Sequence, residues 1–407
     1  MKHLFLIALL AMTFSVNSQT SETTNAETIL EKAETSPYFS HKKGLGFTAP
    51  DSIYQINLRF RMQNRATYYQ VEDGEDYFDA TIKRLRLRLD GYVFSPKIEY
   101  SLQLSFASGD VGTVKDGDNV NIIRDAIVAY SPTENWKFIF GQTKLPGNRQ
   151  RTNSSGSLQL TDRSINNAKF TIDRDFGIQA YYLNEDLEKF SYNLKAAVSS
   201  GEGRNSNKSA NDGVAVTAKA ELFPFGAFEK DGTYFEGDLV REKSPKLLLS
   251  GGFQQNNHAL RTQGQLGDDL FDARTIKSVF IDAMVKYQGW AAMSAYMSRN
   301  TSESAFTTNP LDTSDFNYVY TGSGFDYQLS YIFKNNYEVA GRYSLQKVHR
   351  EIEQLAPDNK QLSFGVTKYI WDHKFKLQTE LTYDMLDYYD GSSKNNYYVR
   401  FQVEIGI

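Results

Sequence analysis

Apolar and polar residues alternate with a period of two from Ile53 to the end of the sequence. The last segment, NNYYVRFQVEIGI, shows the pattern most clearly, because Val399, Phe401 and Val403 are separated by arginine and glutamine. Successive side chains of a β-strand point to opposite faces, so each such segment predicts a strand with one apolar and one polar face. One face then suits lipid and the other suits water.

The alternating segments number sixteen. We expect them to form one all-β domain over residues 53–407, a transmembrane antiparallel β-barrel with short periplasmic turns and long extracellular loops. A barrel of sixteen strands encloses an aqueous channel rather than a packed core, which accounts for a polar inner face. The predicted strands span approximately residues 53–63, 82–95, 97–109, 121–131, 136–143, 175–184, 189–200, 213–223, 246–256, 274–287, 289–299, 319–333, 337–347, 360–370, 374–387 and 395–407.

The links between these segments alternate in length. Links after the second, fourth, sixth, tenth, twelfth and fourteenth strands are short, whereas most links after odd-numbered strands are long and rich in Gly, Asn and Asp. This asymmetry is typical of outer-membrane barrels, and a soluble propeller does not require it. The exception is the link 224–245 after the eighth strand, which is too long for a turn.

The first residues combine a basic start, an apolar core from Leu4 to Phe14 and small residues beyond it. This arrangement predicts a cleavable signal peptide over residues 1–18, and therefore export to the cell outer membrane. Residues 19–52 are polar and are expected to form a periplasmic N-terminal segment. No later run of about 18 apolar residues is present, so the sequence predicts no membrane-spanning helix.

Composition narrows the classes of function. Cysteine is absent, which excludes disulfides, thiolate metal sites and a lipid-anchor cysteine. The formal net charge of −4 disfavours nucleic acid as a partner. The 26 Tyr, 27 Phe and only 9 Pro fit a barrel with aromatic girdles, although a large secreted β-sandwich or propeller has a similar composition.

Three arginines occupy alternate positions in the stretch IKRLRLRLDGYVF. Arg84, Arg86 and Arg88 are separated by leucines, which suit lipid. A charged residue facing lipid near the middle of the membrane costs about 2–4 kcal/mol, so the arginines are expected to point into the lumen.

The preceding strand, YQINLRFRMQ, carries Arg59 and Arg61 on its polar face. If the two strands form a hairpin around a loop at 64–81, Arg59 lies near Arg86, and Arg61 lies near Arg84. Like charges opposite one another on a sheet are destabilising. A cluster of five arginines therefore goes against local stability, and such clusters tend to mark functional sites.

A second basic cluster lies in the link after the fifth strand, where a long loop of a sixteen-stranded barrel can fold inward and narrow the pore. Arginine presents a planar set of donors that matches phosphate and carboxylate oxygens, and rings of arginine or lysine select anions in pores. The two clusters predict the passage of a small anion. The second cluster comprises Lys144, Arg149, Arg151, Arg163, Lys169 and Arg174.

Carboxylates on the predicted inner faces keep a different interpretation open. They would pair with the arginines, set the shape of the pore and leave a general, non-selective lining of mixed charge. The acidic residues concerned are Asp90, Glu99, Glu221, Asp326, Glu380, Asp384 and Glu404.

Several stretches resemble the phosphate-selective porin O and P family of outer-membrane proteins. They are GLGFTAPDSIYQINLRFRMQNR, IKRLRLRLDGYVF, IIRDAIVAYSP, IFGQTKLPGNRQR and RDFGIQAYY, and YFEGDLVREKSPKL resembles the Bacteroidota branch. The resemblance implies a homotrimer of sixteen-stranded barrels, passive diffusion of small anions such as phosphate, and an arginine-lined path to a basic constriction. The positions that match this path are Arg59, Arg61, Arg84, Arg86 and Arg88, with Lys144, Arg149 and Arg151 in the loop.

Enzymatic and metal-binding motifs are not found in the sequence. The five histidines are scattered, and none has metal-ligand spacing to another. The stretch KDGDN at 115–119 lacks the full ligand set of a calcium loop and is better interpreted as a polar turn. We therefore expect no enzyme, no cofactor and no metal. An outer-membrane hydrolase and an adhesin or scaffold without conductance remain as alternatives.

Overall fold

A computed structural model of the chain describes residues 38–40, 44–111, 121–206 and 213–407. The predicted signal peptide, most of the predicted N-terminal segment and the turn at 115–119 lie outside these residues. In the described part, the alternating sequence forms long antiparallel strands. Their bounds are β1 (Tyr38–Ser40), β2 (Gly44–Thr48), β3 (Tyr54–Gln70), β4 (Tyr77–Val93), β5 (Ser95–Ser105), β6 (Ile123–Tyr130), β7 (Trp136–Lys144), β8 (Arg174–Asn184), β9 (Ser191–Ser199), β10 (Ala215–Phe223), β11 (Lys246–Arg261), β12 (Asp269–Tyr287), β13 (Trp290–Thr301), β14 (Phe306–Asn309), β15 (Asp312–Tyr318), β16 (Gly322–Ile332), β17 (Tyr337–Val348), β18 (Asp358–Trp371), β19 (Phe375–Asp387) and β20 (Ser393–Gly406).

Sixteen of these strands, β3–β13 and β16–β20, form a closed barrel in which each strand pairs with its neighbour along the chain. Closure occurs between β20 and β3, from the pair Tyr397↔Gln70 to the pair Gly406↔Arg61. The predicted sixteen-stranded antiparallel barrel is thereby confirmed. Strands β14 and β15 form a separate hairpin within the link between β13 and β16, which the sequence pattern did not predict.

Strand β2 extends the sheet at the seam of the barrel. It pairs with the first residues of β3, including Leu45↔Leu58, whereas β20 pairs with β3 only from Arg61 onward. The backbone of Ile407 also exchanges hydrogen bonds with Phe60, at 2.9 and 3.1 Å. Part of the predicted N-terminal segment therefore belongs to the sheet.

The two faces of the barrel wall have opposite chemistry. Large apolar side chains such as Phe140, Ile178 and Phe401 are about half exposed on the outer face, at 55%, 50% and 48%. Polar side chains alternate with them on the inner face, where Lys376 and Glu404 are fully buried. A barrel in lipid requires this arrangement, because the outer band faces hydrocarbon and the lumen faces water.

The substitution Phe140→Arg tests the orientation of the wall. Phe140 is the central residue of the nine-residue strand β7 and faces outward. A charge there is expected to lower the free energy of unfolding in lipid by about 2–4 kcal/mol. Urea titration of the protein in liposomes measures this, with Lys137→Arg, an inward position of the same strand, as the control. Equal stability of the two variants would contradict the assignment of the faces.

The first hairpin is longer than the sequence pattern predicts. Strands β3 and β4 continue to Gln70 and from Tyr77, so the predicted loop at 64–81 is wrong and the connection comprises only residues 71–76. A β-bulge opposite Gln63 and Asn64 shifts the register by one residue within β4. The bulge at Lys83 breaks the alternation of side chains in β4, so the residues of β4 before it do not continue the period of the arginines.

Two segments fold into the lumen. The constriction loop, residues 145–173, joins β7 to β8 and contains two short helices, α2 (Arg149–Thr152) and α3 (Ile165–Phe170). The lumenal link, residues 224–245, joins β10 to β11 at the other end of the barrel. Another short helix, α1 (Ser108–Val111), follows β5, and short 3₁₀ segments span Ser155–Ser157, Glu229–Tyr234 and Arg350–Ile352. In the part of the chain that the structure describes, no helix is long and apolar enough to span a membrane.

Candidate functional site

Polar groups of the barrel wall hold the constriction loop in place. Lys376 of β19 donates from Nζ to the carbonyl oxygens of Gly156 and Leu158, at 2.9 and 2.7 Å. Glu380 lies two inward positions further along β19. It accepts hydrogen bonds from the backbone N–H of Thr161 at 2.8 Å and from the Thr161 hydroxyl at 2.5 Å. A loop away from water must find partners for its backbone groups, and these inward side chains provide them.

A serine fixes the second half of the constriction loop. Ser164 precedes α3, and its Oγ accepts a hydrogen bond from the N–H of Asn167, as a helix N-cap does. The same hydroxyl donates to Asp326 of β16 at 2.6 Å, and Asn166 donates to the other oxygen of Asp326 at 2.9 Å. The helix terminus is therefore attached directly to the barrel wall.

The lumenal link is bound to the constriction loop. The carboxylate of Glu236 accepts from the N–H of Gln159 at 3.0 Å and from the side chain of Gln150 at 3.2 Å. Arg149 donates to the carbonyl oxygens of Thr233 and Phe235, at 2.9 and 2.5 Å. The two inserted segments therefore form one obstruction inside the barrel.

Apolar packing supports this obstruction on one side of the lumen. Leu145, Phe170 and Ile172 of the constriction loop pack in a cluster with Phe280 and Met297 of the wall. A second cluster joins the lumenal link to the same side: it contains Phe223, Ala227, Phe228, Leu248 and Met284. The obstruction thus occupies the lumen beside β11–β13 and β16–β19, and a cavity remains beside β3–β10.

This cavity has a volume of about 650 Å³ and is lined mainly by inward residues of β3–β10. Among the described residues that line it, ten carry positive charge and three carry negative charge. The carboxylates are Asp125, Glu221 and Glu404. The cations are Arg59, Arg61, Arg86, Arg88, Lys137, Lys144, Arg174, Lys195, Lys219 and Lys374.

The arginines of the first hairpin lie side by side, with a register that differs from the prediction. Arg59 is opposite Arg88 and Arg61 is opposite Arg86, while Arg84 faces Gln63. The predicted neighbours, Arg59 near Arg86 and Arg61 near Arg84, are therefore wrong by one inward position. The inward orientation of all five is observed.

Carboxylates contact most of these arginines. Asp90 contacts Arg59 and lies 2.8 Å from Nε of Arg88, so one negative charge is shared by two cations. Asp110 of α1 lies 2.6 Å from Arg86 and 2.8 Å from Arg124. Burial raises the pKa of the Asp110 carboxyl, but Arg86 and Arg124 lower it by more than burial raises it. The pKa of Asp110 is therefore below its usual range. Asp110 is therefore an anion held at the arginines.

Asp162 of the constriction loop binds three cations at once. Its carboxylate lies 3.2 Å from Arg65, 3.0 Å from Lys83 and 3.1 Å from Arg84. Burial raises the pKa of this carboxyl, whereas Arg84, Lys83 and Arg65 lower it, and the balance holds the pKa well below its usual range. One ionised side chain thus joins the loop to three cations of the first hairpin, beside the hydrogen bonds that Arg61 donates to Ser154 and Ser155.

The eight residues predicted for the pore separate into two groups. Five line the cavity: Arg59, Arg61, Arg86, Arg88 and Lys144. The other three have different surroundings: Arg84 contacts Asp162, Arg149 is buried against the lumenal link, and Arg151 lies 2.6 Å from Asp173.

The predicted inner-face carboxylates also differ in what they contact. Glu221 is shared by Lys195 and Lys219, at 2.7 and 3.0 Å, and Glu99 contacts Lys137. Asp326 and Glu380 bind the constriction loop, as described above, while Asp384 accepts from Gln361 at 3.1 Å and Glu404 lies 3.7 Å from Arg61.

Several cationic residues of the cavity were not predicted as site residues. Lys137, Lys195 and Lys219 occupy inward positions in strands whose span was predicted correctly. Their alternation with outward apolar residues was the available signal. Only the closed barrel brings them into the same cavity as the arginines.

Comparison with known proteins identifies the class. Residues 56–242 match the family model described as phosphate-selective porin O and P. No curated protein sequence matches the chain. The fold is that of an outer-membrane porin, and the protein is a channel of the outer membrane. Over the matched residues, the resemblance to the phosphate-selective porin O and P family is confirmed.

Solved structures share the fold at low sequence identity. The outer membrane channel DcaP of Acinetobacter baumannii has a TM-score of 0.53 and 16% identity, with 89% of this chain and 99% of that chain covered. The anion-selective porin from Comamonas acidovorans has a TM-score of 0.52 and 12% identity, covering 87% and 100%. OmpF of Salmonella typhi in complex with daunomycin has a TM-score of 0.53 and 12% identity, covering 87% and 98%.

Proposed function

We propose that this porin mediates the passive diffusion of small anions, phosphate among them, along the wall formed by β3–β10. The observation that carries the proposal is the lining of the cavity, where ten cations face three carboxylates. The description of the matching family as phosphate-selective, and of one structural neighbour as anion-selective, agrees with it. The proposed anion-binding residues are Arg59, Arg61, Arg84, Arg86 and Arg88, with Lys144, Arg149 and Arg151 at or beside the constriction loop.

The arrangement of charges suits transport better than tight binding. An anion that reaches Arg59 and Arg88 exchanges part of its hydration shell for guanidinium donors, which present paired N–H groups to oxyanions. Asp90 between these arginines reduces their net charge and therefore the free energy of binding. A channel needs sites that attract an ion and also release it.

We further propose that the protein assembles as a homotrimer in outer-membrane lipid, after removal of a signal peptide over residues 1–18. The proposed mature chain consists of an N-terminal segment, 19–52, in which β2 joins the sheet, and the barrel, 53–407. The proposal includes neither catalysis nor a cofactor. N-terminal sequencing of the mature protein and crosslinking in intact membranes test these two points separately.

The alternative function is a general pore with a lining of mixed charge. The specific observation in its favour is that Arg59, Arg86 and Arg88 all have carboxylate neighbours. An adhesin or scaffold without conductance is distinguished by the absence of any current in a planar bilayer.

The reversal potential in a potassium chloride gradient separates these functions. We expect its sign to show preference for chloride, and we expect the double variant Arg59→Gln, Arg88→Gln to lose most of that preference, because Asp90 is then unopposed. The control is Lys334→Gln in an exposed turn, which should leave the potential unchanged. A potential that favours cations, or none at all, in the unmodified protein would refute the anion proposal.

A further inference from the structure

The inner wall of the cavity contains an apolar patch. Ile127 of β6 and Ile139 of β7 line the cavity, with Leu183 of β8. They point inward, because their neighbours in the alternation, Val128 and Phe138, are exposed on the outer face. Inward residues of a water-filled barrel are normally polar. The aliphatic side chains at these positions depart from that pattern.

Cations flank the apolar patch on both sides. On one side, Arg59 and Arg88 share the single carboxylate of Asp90, which leaves a net positive charge. On the other side lies a row of inward residues on four adjacent strands, about 4.8 Å apart from strand to strand. The pairs of this row are Lys137↔Tyr181, Tyr181↔Lys195 and Lys195↔Lys219.

Aromatic side chains extend the apolar surface. Nζ of Lys195 lies 5.6 Å from the centre of the Tyr181 ring, and Tyr181 is on β8, between Lys195 on β9 and Ile139 on β7. Tyr234 and Phe235 of the lumenal link also line the cavity, and the ring of Phe235 stacks on His373 with centroids 4.5 Å apart. The link therefore supplies rings to the cavity as well as closing the lumen.

The size of the cavity exceeds that of an inorganic oxyanion. Its volume is about 650 Å³. A phosphate ion is only as large as a few water molecules, each of which takes up about 30 Å³ in the liquid. A phosphate ion bound by the cations would therefore leave most of the apolar surface of the cavity in contact with water.

We propose that the cavity is a binding site for organic anions that carry an apolar ring or chain, and that the channel selects these over inorganic phosphate. The inference rests on the proposed function, because an acidic group must first be attracted to the cations. The acidic group pairs with Arg59 and Arg88, and the apolar body lies against Ile127, Ile139 and the aromatic rings. Transfer of apolar area out of water adds to the binding free energy.

Phenyl phosphate and inorganic phosphate form a matched pair of probes, because they share the head group and differ by a ring. Each is added to the full-length protein in a planar bilayer, in alkaline buffer in which both are dianions, and its inhibition of the chloride current is measured. We expect half-inhibition at a concentration about tenfold lower for phenyl phosphate, as partial burial of the ring implies.

The double variant Ile127→Ser, Ile139→Ser is expected to bring the two half-inhibiting concentrations close together without weakening inhibition by inorganic phosphate. The control is Ala129→Ser, an inward neighbour on β6 that does not line the cavity and should keep the tenfold ratio. A shift in electrophoretic mobility on heating reports whether each variant is folded.

The outcomes separate this inference from the proposed function. An anion-selective current with equal inhibition, or no inhibition, by the two phosphates in the unmodified protein would overturn the inference alone. A cation-selective current would overturn the proposed function and the inference with it. The comparison of phenyl phosphate with inorganic phosphate in the unmodified protein tests the inference even if the serine variant does not fold.

Discussion

Replacing residues 227–243 with Gly-Ser-Gly is expected to increase the single-channel conductance about twofold or more, because the lumenal link fills part of a lumen that a sixteen-stranded barrel otherwise leaves open to water. These residues form the part of the lumenal link that lies in the lumen. Strands β10 and β11 remain paired through Leu222↔Leu249 and do not need the long link for their register. Recordings from planar bilayers measure the conductance.

The same replacement also loosens the constriction loop. Arg149 loses the carbonyl oxygens of Thr233 and Phe235, and Lys286 of β12 loses those of Gly232 and Phe235, at 2.7 and 3.0 Å. Two buried cations without partners are costly, so the loop is expected to rearrange and the open-channel current to become noisier.

The control for the replacement is Lys230→Gly. Lys230 lies in the same link, is exposed and has φ of 49°, a conformation that glycine adopts readily. Conductance equal to that of the unmodified protein is expected for this variant. If the replacement folds and its conductance is also unchanged, the lumenal link does not obstruct the pathway.

The position of the lumenal link was not predictable from local sequence. Its length marked it as an exception, and aromatic residues such as Phe228, Tyr234 and Phe235 are more than a solvated turn needs. The lumenal link is buried, however, by the constriction loop, which is distant in sequence. Gln159 and Glu236, which are hydrogen-bonded, are more than 70 residues apart. Long-range pairing of this kind leaves no periodic pattern in either segment.

The barrel wall was more predictable, because the side-chain alternation of a strand is a local property. It correctly placed Arg86 and Arg88 on the inner face. Register depends instead on where the strands end and on bulges. The position of the turn at 71–76 and the one-residue bulge beside Gln63 together place the arginine pairs one inward position from those predicted. The composition of the cavity depends on closure of the barrel, which brings Lys195 and Lys219 into the same space as the first hairpin.

The substitution Asp162→Asn is expected to loosen the constriction loop at the first hairpin, while Lys376 and Glu380 still hold it to β19. Arg65, Arg84 and Lys83 then lie near one another without their shared carboxylate. Removing one partner of a fully buried ion pair costs about 3–5 kcal/mol, and the cost here should be smaller because the Asp162 side chain is 24% exposed. The thermal unfolding temperature in detergent should fall. Anion preference in the bilayer should rise, since Arg84, one of the proposed anion-binding residues, and its neighbour Arg65 are no longer neutralised.

The pH dependence gives a second readout of the same carboxylate. A carboxyl whose pKa is depressed in the folded state contributes stability that is fully present above its unfolded pKa, about 3.9, and is lost as pH falls through the folded value. Because the pKa of Asp162 is well below its usual range, the unmodified protein should retain this contribution from neutral pH to below pH 4. The variant should lack it throughout that window. The matched control is Glu134→Gln, in an exposed turn between β6 and β7. If Asp162→Asn lost no more stability than this control, the assignment of Asp162 as a residue that attaches the loop would be refuted.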